Sequence, residues 1–331
     1  MKEIKVIQIG MGPLGLKIAD FIAKRNGIQT VAAIDKNPEL TGQSLHSLID
    51  DFPHKIMIEN ELKEAVDRTQ PDVAIITTVS DMQRISAQIE EVVELGLPVV
   101  STCEELSYPW INAPDLSRRL DKHAKAKNVS VIGTGVNPGF LMDALPTFLT
   151  SVCQDVQMIK IDRYQDATYR RKPFQEKIGA GLTLEMFEER KKRGTLRHVG
   201  LTESIQFIAS HLGWTLDKSE DIIHPVMVEK DMQHAGATLK KGMVRGVRQI
   251  GNGYVHGEKK IQLIFHAAVG EPESFDNIEI IGEPAISSRI AGGVNGDIAT
   301  CAITVNACRS ILKAQPGLRT MSDLPMPSYF S

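Results

Sequence analysis

The chain has 331 residues, of which 42% are hydrophobic and 24% charged, and its formal net charge is −3. This composition is ordinary for a globular protein, the length suffices for two domains, and the small net charge disfavours nucleic acid or an anionic membrane as a partner. No apolar run is as long as a membrane helix requires, and the chain passes from Met1 almost directly into a strand pattern. We therefore expect a cytoplasmic protein without a signal peptide.

The first 35 residues carry a nucleotide-binding pattern. An apolar run at 4–9 predicts a buried strand, followed by a G-x-G-x-x-G turn and a helical pattern at 13–26. A second strand pattern at 29–34 ends on Asp35. Glycines allow a tight turn and close approach of a pyrophosphate, the helix N-terminus attracts phosphate, and the acid accepts hydrogen bonds from a ribose. We expect this turn to bind NAD through Gly10, Met11, Gly12, Pro13, Leu14 and Gly15.

The residues after the second strand bear on the choice of cofactor. Asp35 favours NAD, because the 2′-phosphate of NADP would meet its negative charge. Lys36 follows directly and could partly offset that repulsion. We predict a preference for NAD with some use of NADP.

Strand and helix patterns alternate through the first 140 residues, which is typical of a parallel sheet with helices on both faces. Further strands are predicted at 73–78, 98–102 and 129–133, and helices at 60–69, 82–96 and 113–127.

After Pro138-Gly139 the chain changes to longer strands with alternating apolar residues, which indicates a mixed, mostly antiparallel sheet. A hairpin is expected to turn at Gly251-Asn252-Gly253, and helices are expected at 183–193 and 201–212. A long helix at 294–314 should return to the first domain, followed by an irregular tail after Pro316. The strands are predicted at 155–164, 222–232, 242–254, 259–268, 275–281 and 285–290.

The predicted fold class is α/β. Residues 1–140 and 292–331 form a Rossmann-type, doubly wound parallel sheet, and residues 141–291 form an α+β domain for substrate binding and oligomerisation. A mixed sheet needs cover on both faces, and a twin subunit could supply one of them. We expect a homodimer through this second sheet.

Ligands bind such parallel sheets at the carboxyl ends of the strands. We therefore expect the segments after the later strands to contact the cofactor, namely Thr77, Thr78, Val79, Ser101, Thr102 and Asn137.

Two acids follow the predicted strand at 98–102. Glu104 and Glu105 are adjacent, so both side chains cannot easily enter one small site. We take Glu104 as the inward one and Glu105 as the alternative, to hold a substrate ammonium or accept its proton. The competing interpretation is a pair of solvent-exposed acids at a helix start.

Cys103 suggests a different chemistry, in which a thiol attacks an aldehyde beside the nicotinamide. Two flanking acids would raise the pKa of that thiol, so a packed, inert cysteine is the better interpretation. The four cysteines contain no C-x-x-C pair and the nine histidines no H-x-x-x-H pair, so we expect no metal site.

Substrate contacts are expected from Asn137 and Pro138 at the domain crossing and from the second domain. There, glycine-flanked His198 could face the substrate, and an arginine could bind a carboxylate in bidentate fashion. Arg171 is our choice; the sequence leaves Arg163, Arg170 and Arg197 open as alternatives.

Several segments besides the opening fingerprint resemble the 2,4-diaminopentanoate dehydrogenase family, within a wider group shaped like dihydrodipicolinate reductase that includes native amine dehydrogenases. The chain lacks the His-His pair and Pro-Ser-Gly run of true dihydrodipicolinate reductases. The resemblance spans nearly the whole chain and is carried by Ser101–Pro109, Gly133–Phe140, Lys177–Thr183, His198–Leu201 and Gly296–Thr300.

The resemblance implies oxidative deamination of a small amine with NAD or NADP, as in ornithine degradation. In that family the C4 amine of 2,4-diaminopentanoate reacts, 2-amino-4-oxopentanoate and ammonia form, and a glutamate of the Thr-Cys-Glu-Glu segment lies at the reacting amine. Three alternatives stay open: a related amine or amino-acid dehydrogenase, an imine or semialdehyde reductase of similar shape, and a non-enzymatic NAD-binding sensor.

Overall fold

The structure is a computed structural model that describes residues 3–170, 172–196, 198–234 and 237–331. It divides into two units, Met1–Phe140 with Asn295–Ser331, and Leu141–Val294. The sequence-based division was 1–140 with 292–331, and 141–291. The roles assigned to the two units stay predictions.

Short buried strands and amphipathic helices alternate along the N-terminal part of the first unit. Pro13 occupies the first turn of the first helix, where its missing N–H costs nothing. The strands are β1 (Ile4–Ile9), β2 (Ile28–Ile34), β3 (Ile58–Glu59), β4 (Val73–Ile76), β5 (Val99–Ser101) and β6 (Ser130–Gly133). The helices are α1 (Pro13–Ala23), α2 (Leu45–Leu48), α3 (Leu62–Thr69), α4 (Met82–Glu94) and α5 (Pro114–Ala126).

The second unit has long strands and few helices. Its helices are α6 (Ala144–Leu149), α7 (Lys172–Lys177), α8 (Leu184–Lys192) and α9 (Leu201–His211). Its strands are β7 (Asp155–Asp166), β8 (Lys218–Met227), β9 (Met232–His234), β10 (Ala237–Leu239), β11 (Val244–Val255), β12 (Glu258–Ala268), β13 (Phe275–Glu283) and β14 (Ile286–Ala291).

The chain then returns to the first unit through α10 (Gly296–Ile311), whose N-cap Asn295 accepts hydrogen bonds from the N–H groups of Asp297 and Ile298. It ends with β15 (Gly317–Arg319), which pairs in parallel with β6. The tail after Pro316 is therefore not wholly irregular as predicted, because its first residues continue the sheet.

The two larger sheets confirm the predicted fold class, and β9 and β10 form a separate two-stranded antiparallel sheet. The first unit holds a seven-stranded sheet in the order β15-β6-β5-β4-β1-β2-β3, and its pairs are parallel. The second unit holds a six-stranded sheet in the order β14-β13-β7-β12-β11-β8, in which only β7 and β12 pair in parallel. The carboxyl ends of β1, β2, β4, β5 and β6 thus meet at one edge of the first sheet.

The predicted hairpin turn at Gly251-Asn252-Gly253 is wrong. Strand β11 continues through these residues, and the turn lies at His256 and Gly257, with φ of 52° and 76°. Two consecutive positive φ angles are the pattern of a tight hairpin turn. The glycines serve packing instead: a Cβ on Gly251 would lie 2.8 Å from Cδ1 of Ile205 on α9.

Within the described part of the chain, no helix combines the length and apolarity needed to cross a bilayer.

Candidate active site

The glycine turn between β1 and α1 has the shape that a dinucleotide requires. Gly10 has a φ of +92°, and a Cβ on Gly15 would lie 1.9 Å from the carbonyl oxygen of Gly10. At Gly12, by contrast, a Cβ would meet nothing within 4 Å. Gly10 and Gly15 therefore serve the turn and its packing, while Gly12 leaves space beside the N-terminus of α1 for a phosphate. The residues present fit a bound pyrophosphate.

Two side chains hold this turn in place. The Thr77 hydroxyl donates to the carbonyl oxygen of Gly10 at 2.7 Å. Buried Gln8 donates to the carbonyl oxygen of Gly15 at 3.2 Å and accepts from the Thr30 hydroxyl at 2.8 Å. Thr77, predicted to contact the cofactor, thus contacts the loop that would bind it.

Asp35 lies directly after β2 beside the glycine turn. Its carboxylate accepts hydrogen bonds from the N–H groups of Met11, at 2.6 Å, and Asn37, at 2.8 Å. Each carboxylate oxygen can accept more than one hydrogen bond, so the group can still bind ribose hydroxyls.

A cavity of about 190 Å³ opens next to Asp35 in the first unit. Buried Ile9, Ile34 and Leu62 supply its apolar part. Its size and apolar wall suit the adenosine half of a dinucleotide. The other lining residues are Gly10, Asp35, Lys36, Asn60, Thr78, Gln88 and Glu91.

Some predicted cofactor residues can contribute only through their backbone. The Met11 side chain is fully buried among Ala19, Leu45 and Phe52. The fully buried Ser101 hydroxyl donates to the carbonyl oxygen of Ile76 and accepts from the N–H of Cys103, both at 3.1 Å. Because both side chains are used inside the fold, the cofactor contact of these two residues stays a prediction for their backbone atoms.

The remaining predicted residues of this edge lie in the connecting turns. Pro13 is exposed and Leu14 half-buried at the start of α1. Thr102 is half-buried, and its N–H donates to the carbonyl oxygen of Ile76 at 3.1 Å. Val79 packs against the core of the first unit.

The two acids after β5 have different environments. They begin a one-turn 3₁₀ helix, Glu104–Ser107. The Glu105 carboxylate accepts a hydrogen bond from the N–H of Met82 at 2.9 Å, at the first residue of α4. That N–H has no partner within its own helix, so Glu105 completes the helix start. Glu104 is half-buried at the same sheet edge as the glycine turn.

Cys103, directly before the acids, is not a nucleophile. Its side chain is 1% exposed, and burial, together with the charges of Glu104 and Glu105, raises the pKa of its thiol to about 12. A thiol with that pKa is protonated at neutral pH. The alternative of thiol catalysis therefore lacks an activated group.

The loop after β6 carries further polar groups. Asn137 is 8% exposed, and a cis peptide bond joins it to Pro138. The Thr134 hydroxyl in this loop is buried and has no hydrogen-bond partner among the described residues. The N–H of Thr134 donates to the carbonyl oxygen of Ser101 at 2.8 Å, which ties this loop to the end of β5.

In the second unit His198 is held firmly. Its N–H donates to Gln249 at 2.7 Å, and its carbonyl oxygen accepts from the same side chain at 3.1 Å. Its ring stacks on Phe265 with centroids 4.3 Å apart. Sequence reasoning missed Gln249, since a buried glutamine in a strand carries no local signal.

The four candidate arginines for a substrate carboxylate differ in their surroundings. Arg171, our choice for a substrate carboxylate, and Arg197 lie outside the described residues. Arg163 is 3% exposed and pairs with Asp276 at 2.5 Å. The Arg170 guanidinium lies over the ring of Phe174, 4.1 Å from its centroid. Among the residues that the structure describes, no group of three or more His, Cys, Asp or Glu could hold a metal ion.

Two family models match this chain. The 2,4-diaminopentanoate dehydrogenase C-terminal domain matches residues 140–331, and a CoA binding domain matches residues 1–103.

Relatives cover almost the whole chain. A 2,4-diaminopentanoate dehydrogenase from Acetoanaerobium sticklandii is 33% identical over 99% of this chain and 95% of the relative. An amine dehydrogenase from Mycobacterium smegmatis has a TM-score of 0.84 at 22% identity, over 99% of this chain and 98% of that one. A dihydrodipicolinate reductase from Paenisporosarcina has a TM-score of 0.54 at 12% identity, over 97% and 98%, which shows a shared fold. The chain is an oxidoreductase with an NAD(P)-binding fold, and it belongs to the 2,4-diaminopentanoate dehydrogenase family.

Proposed function

We propose that this chain catalyses the NAD(P)-dependent oxidative deamination of a small amine, with 2,4-diaminopentanoate as the substrate and 2-amino-4-oxopentanoate and ammonia as the products. The family membership and the name of the 33% identical relative support this reaction. The observation that carries the mechanism is the position of Glu104, which lies half-buried at the carboxyl edge of the first sheet that also holds the glycine turn. We assign the base to Glu104, while Glu105 accepts from the N–H of Met82 at the start of α4.

The cofactor would be held by the glycine turn and the cavity beside Asp35, and when bound it accepts a hydride from the carbon that bears the amine. Gly12 and the N-terminus of α1 would hold the pyrophosphate, and Asp35 the adenosine ribose. Asp35 supports a preference for NAD with some use of NADP.

Glu104 would act twice. As a carboxylate it attracts the substrate ammonium and removes one proton, because only the neutral amine has the lone pair that assists loss of hydride. After oxidation, a water molecule must add to the carbon of the C=N bond. The proton taken from the ammonium first passes to solvent, which restores the carboxylate. Glu104 would then take a proton of that water and return it to the nitrogen, so that ammonia leaves as the carbonyl forms.

Substrate contacts outside Glu104 are proposed for Asn137, Pro138 and His198, and Arg171 stays a proposal for the carboxylate. The ring of His198 stacks on Phe265, and Gln249 holds the main-chain N–H and C=O of His198, which supports a fixed position for the ring. A polar group held in one orientation costs less entropy when it binds.

We further propose a homodimer, a cytoplasmic location and a place in ornithine degradation. The open face of the second sheet supports the dimer, because exposed Ile222, His224 and Arg248 lie on it. The four cysteines are free thiols, as expected of a reducing compartment.

The test compares Glu104→Gln with Glu105→Gln on 2,4-diaminopentanoate, following the absorbance of the reduced nicotinamide. Loss of a general base costs about 10²–10⁴-fold in rate, so we expect a drop in kcat of that size for Glu104→Gln. Glu105→Gln keeps an oxygen that can accept from Met82, and it should stay within a few-fold of wild type.

Near-normal turnover of Glu104→Gln would overturn the assignment of the base. Ammonia-dependent oxidation of NADH with the ketone is expected as the reverse reaction. Its absence, alongside reduction of a preformed imine or semialdehyde, would point to a reductase instead.

A further inference from the structure

Two polar residues of α4 line the cavity beside Asp35 and have no role in the mechanism above. Gln88 and Glu91 are three residues apart, so they project from the same face of the helix. Both line the cavity together with Thr78 and the buried Leu62 of α3.

The two side chains offer complementary hydrogen-bonding groups. The Thr78 hydroxyl donates to the amide oxygen of Gln88 at 2.8 Å. This hydrogen bond identifies the oxygen as the acceptor end of the amide. The amide nitrogen of Gln88, 3.5 Å from the carbonyl oxygen of Arg84, has a second hydrogen to donate. Glu91 supplies a carboxylate, which can only accept.

The neighbouring acids of α4 show that Glu91 is not part of the surface ion pairs of this helix. Glu90 pairs with Arg119 at 2.5 Å, and Glu94 pairs with Lys127 at 2.6 Å and with His123 at 2.9 Å. In the described part of the chain, Glu91 makes no ion pair, and it borders the cavity instead.

We propose that Gln88 and Glu91 read the edge of the adenine base and make the site selective for adenine over 6-oxopurines. Adenine presents an amino donor beside ring-nitrogen acceptors, which matches a carboxylate acceptor beside an amide donor. Hypoxanthine presents an oxygen in place of the amino group, so Glu91 would face a second acceptor and repel it. The proposal rests on the proposed cofactor site and adds the residues that select its base.

The test measures binding alone, by titration calorimetry with ADP-ribose and with its inosine analogue, IDP-ribose. We expect the wild-type chain to bind ADP-ribose about tenfold more tightly, which corresponds to about 1.4 kcal/mol. In Glu91→Gln, whose amide can donate to the 6-oxygen, the ratio of the two dissociation constants should fall to about one.

Glu90→Gln is the matched control, because Glu90 is the adjacent acid on the same helix and pairs with Arg119 away from the cavity. It should keep the wild-type ratio. Equal binding of the two ligands by the wild type, or an unchanged ratio in Glu91→Gln, would overturn base selection while leaving the cofactor site standing. Failure of the wild type to bind either ligand would instead overturn the cofactor site itself, and base selection with it.

Discussion

At the scale of single residues, the site depends on which partner each polar group already has. Asp35 and Glu105 are both acids at the carboxyl edge of the first sheet, and both accept from backbone N–H groups. Asp35 accepts from the glycine turn and keeps capacity for a ribose, whereas Glu105 accepts from the start of α4. Glu104, next to Glu105 in the chain, lies half-buried at the same edge.

Asp35 should set the choice between NAD and NADP. In Asp35→Asn the side chain can still accept a hydrogen bond but loses the charge that repels a 2′-phosphate. Two unit charges about 4 Å apart interact by about 1–4 kcal/mol near a protein surface. We expect the ratio of kcat/KM for NADP to that for NAD to rise about tenfold or more, measured by steady-state kinetics with each cofactor.

Lys36→Gln is the reciprocal variant, since Lys36 lines the same cavity and carries the opposite charge. It should lower the same ratio. If neither substitution changes the ratio, these two side chains do not face the ribose.

At the scale of elements, a buried ion pair ties neighbouring strands of the second unit to the end of that unit. Arg163 of β7 lies opposite Asp276 of β13, and the two side chains pair at 2.5 Å. Arg163 also donates to the carbonyl oxygen of Val294 at 2.9 Å, and Asp276 accepts from the main-chain N–H of Val294 at 2.7 Å. Burial lowers the pKa of the Arg163 guanidinium, while the charge and hydrogen bond of Asp276 oppose that shift. The ion pair of Arg163 and Asp276 is thus structural, and it holds Val294 in the segment that leads into α10.

Removal of one partner should be costly. Asp276→Ala leaves the Arg163 charge buried and unpaired, and such changes cost about 3–5 kcal/mol of unfolding free energy. Urea unfolding followed by circular dichroism measures the loss. The double variant Arg163→Met with Asp276→Leu should recover most of it, because apolar replacement of both partners is often neutral.

The neighbouring pair between Arg289 and Glu273, at 2.7 Å, provides the control, because both side chains are largely exposed. Glu273→Ala should cost less than about 1 kcal/mol. If Asp276→Ala and Glu273→Ala lower the free energy of unfolding by similar amounts, then the burial of the Arg163–Asp276 pair does not make its loss more costly.

At the scale of the whole molecule, the open face of the six-stranded sheet is the feature that a partner subunit would cover. Helix α9 packs on the other face, where Ile205 and Leu201 approach Gly251. On the open face, Ile222, Ile250 and Ile264 lie side by side on three adjacent strands, and Tyr164 stacks between Phe275 and His266, with centroids 4.7 and 4.6 Å apart. Apolar and aromatic residues in such a row are typical of subunit interfaces.

Ile222 is 39% exposed and provides the test of the dimer. Ile222→Asp places a charge in the row of isoleucines, so we expect the dimer to dissociate at micromolar concentration, as measured by sedimentation velocity. Ile111→Asp, at a 54% exposed isoleucine of the first unit, should leave the sedimentation coefficient unchanged. A monomeric wild type, or a dimer unaffected by Ile222→Asp, would exclude this face.

Local patterns were enough to predict most of the first unit, although not its edge strands β3 and β15. The glycine turn, Asp35 and the alternating strands and helices each arise from interactions within about thirty residues, and the parallel sheet followed from them. Local patterns also predicted α10 and most of the long strands of the second unit, but not β10, and the strand predicted at 222–232 runs past the end of β8. Burial is the largest cause of the raised pKa of the Cys103 thiol, and the two acids adjacent in the chain predicted the direction of the shift.

Contacts between distant residues decided the rest. Whether Gly251 forms a turn or packs beneath α9 depends on a helix some fifty positions earlier in the chain, and β15 exists only because β6 has a free edge for it. Glu105 could be separated from Glu104 only through Met82, and Gln88 joined the cavity only because α4 lies beside Thr78. The sequence by itself determined the fold class and indicated the segment in which we propose the base. Only the tertiary structure decided which hydrogen bonds the side chains of that segment make inside the fold, because a partner far along the chain leaves no pattern in the local sequence.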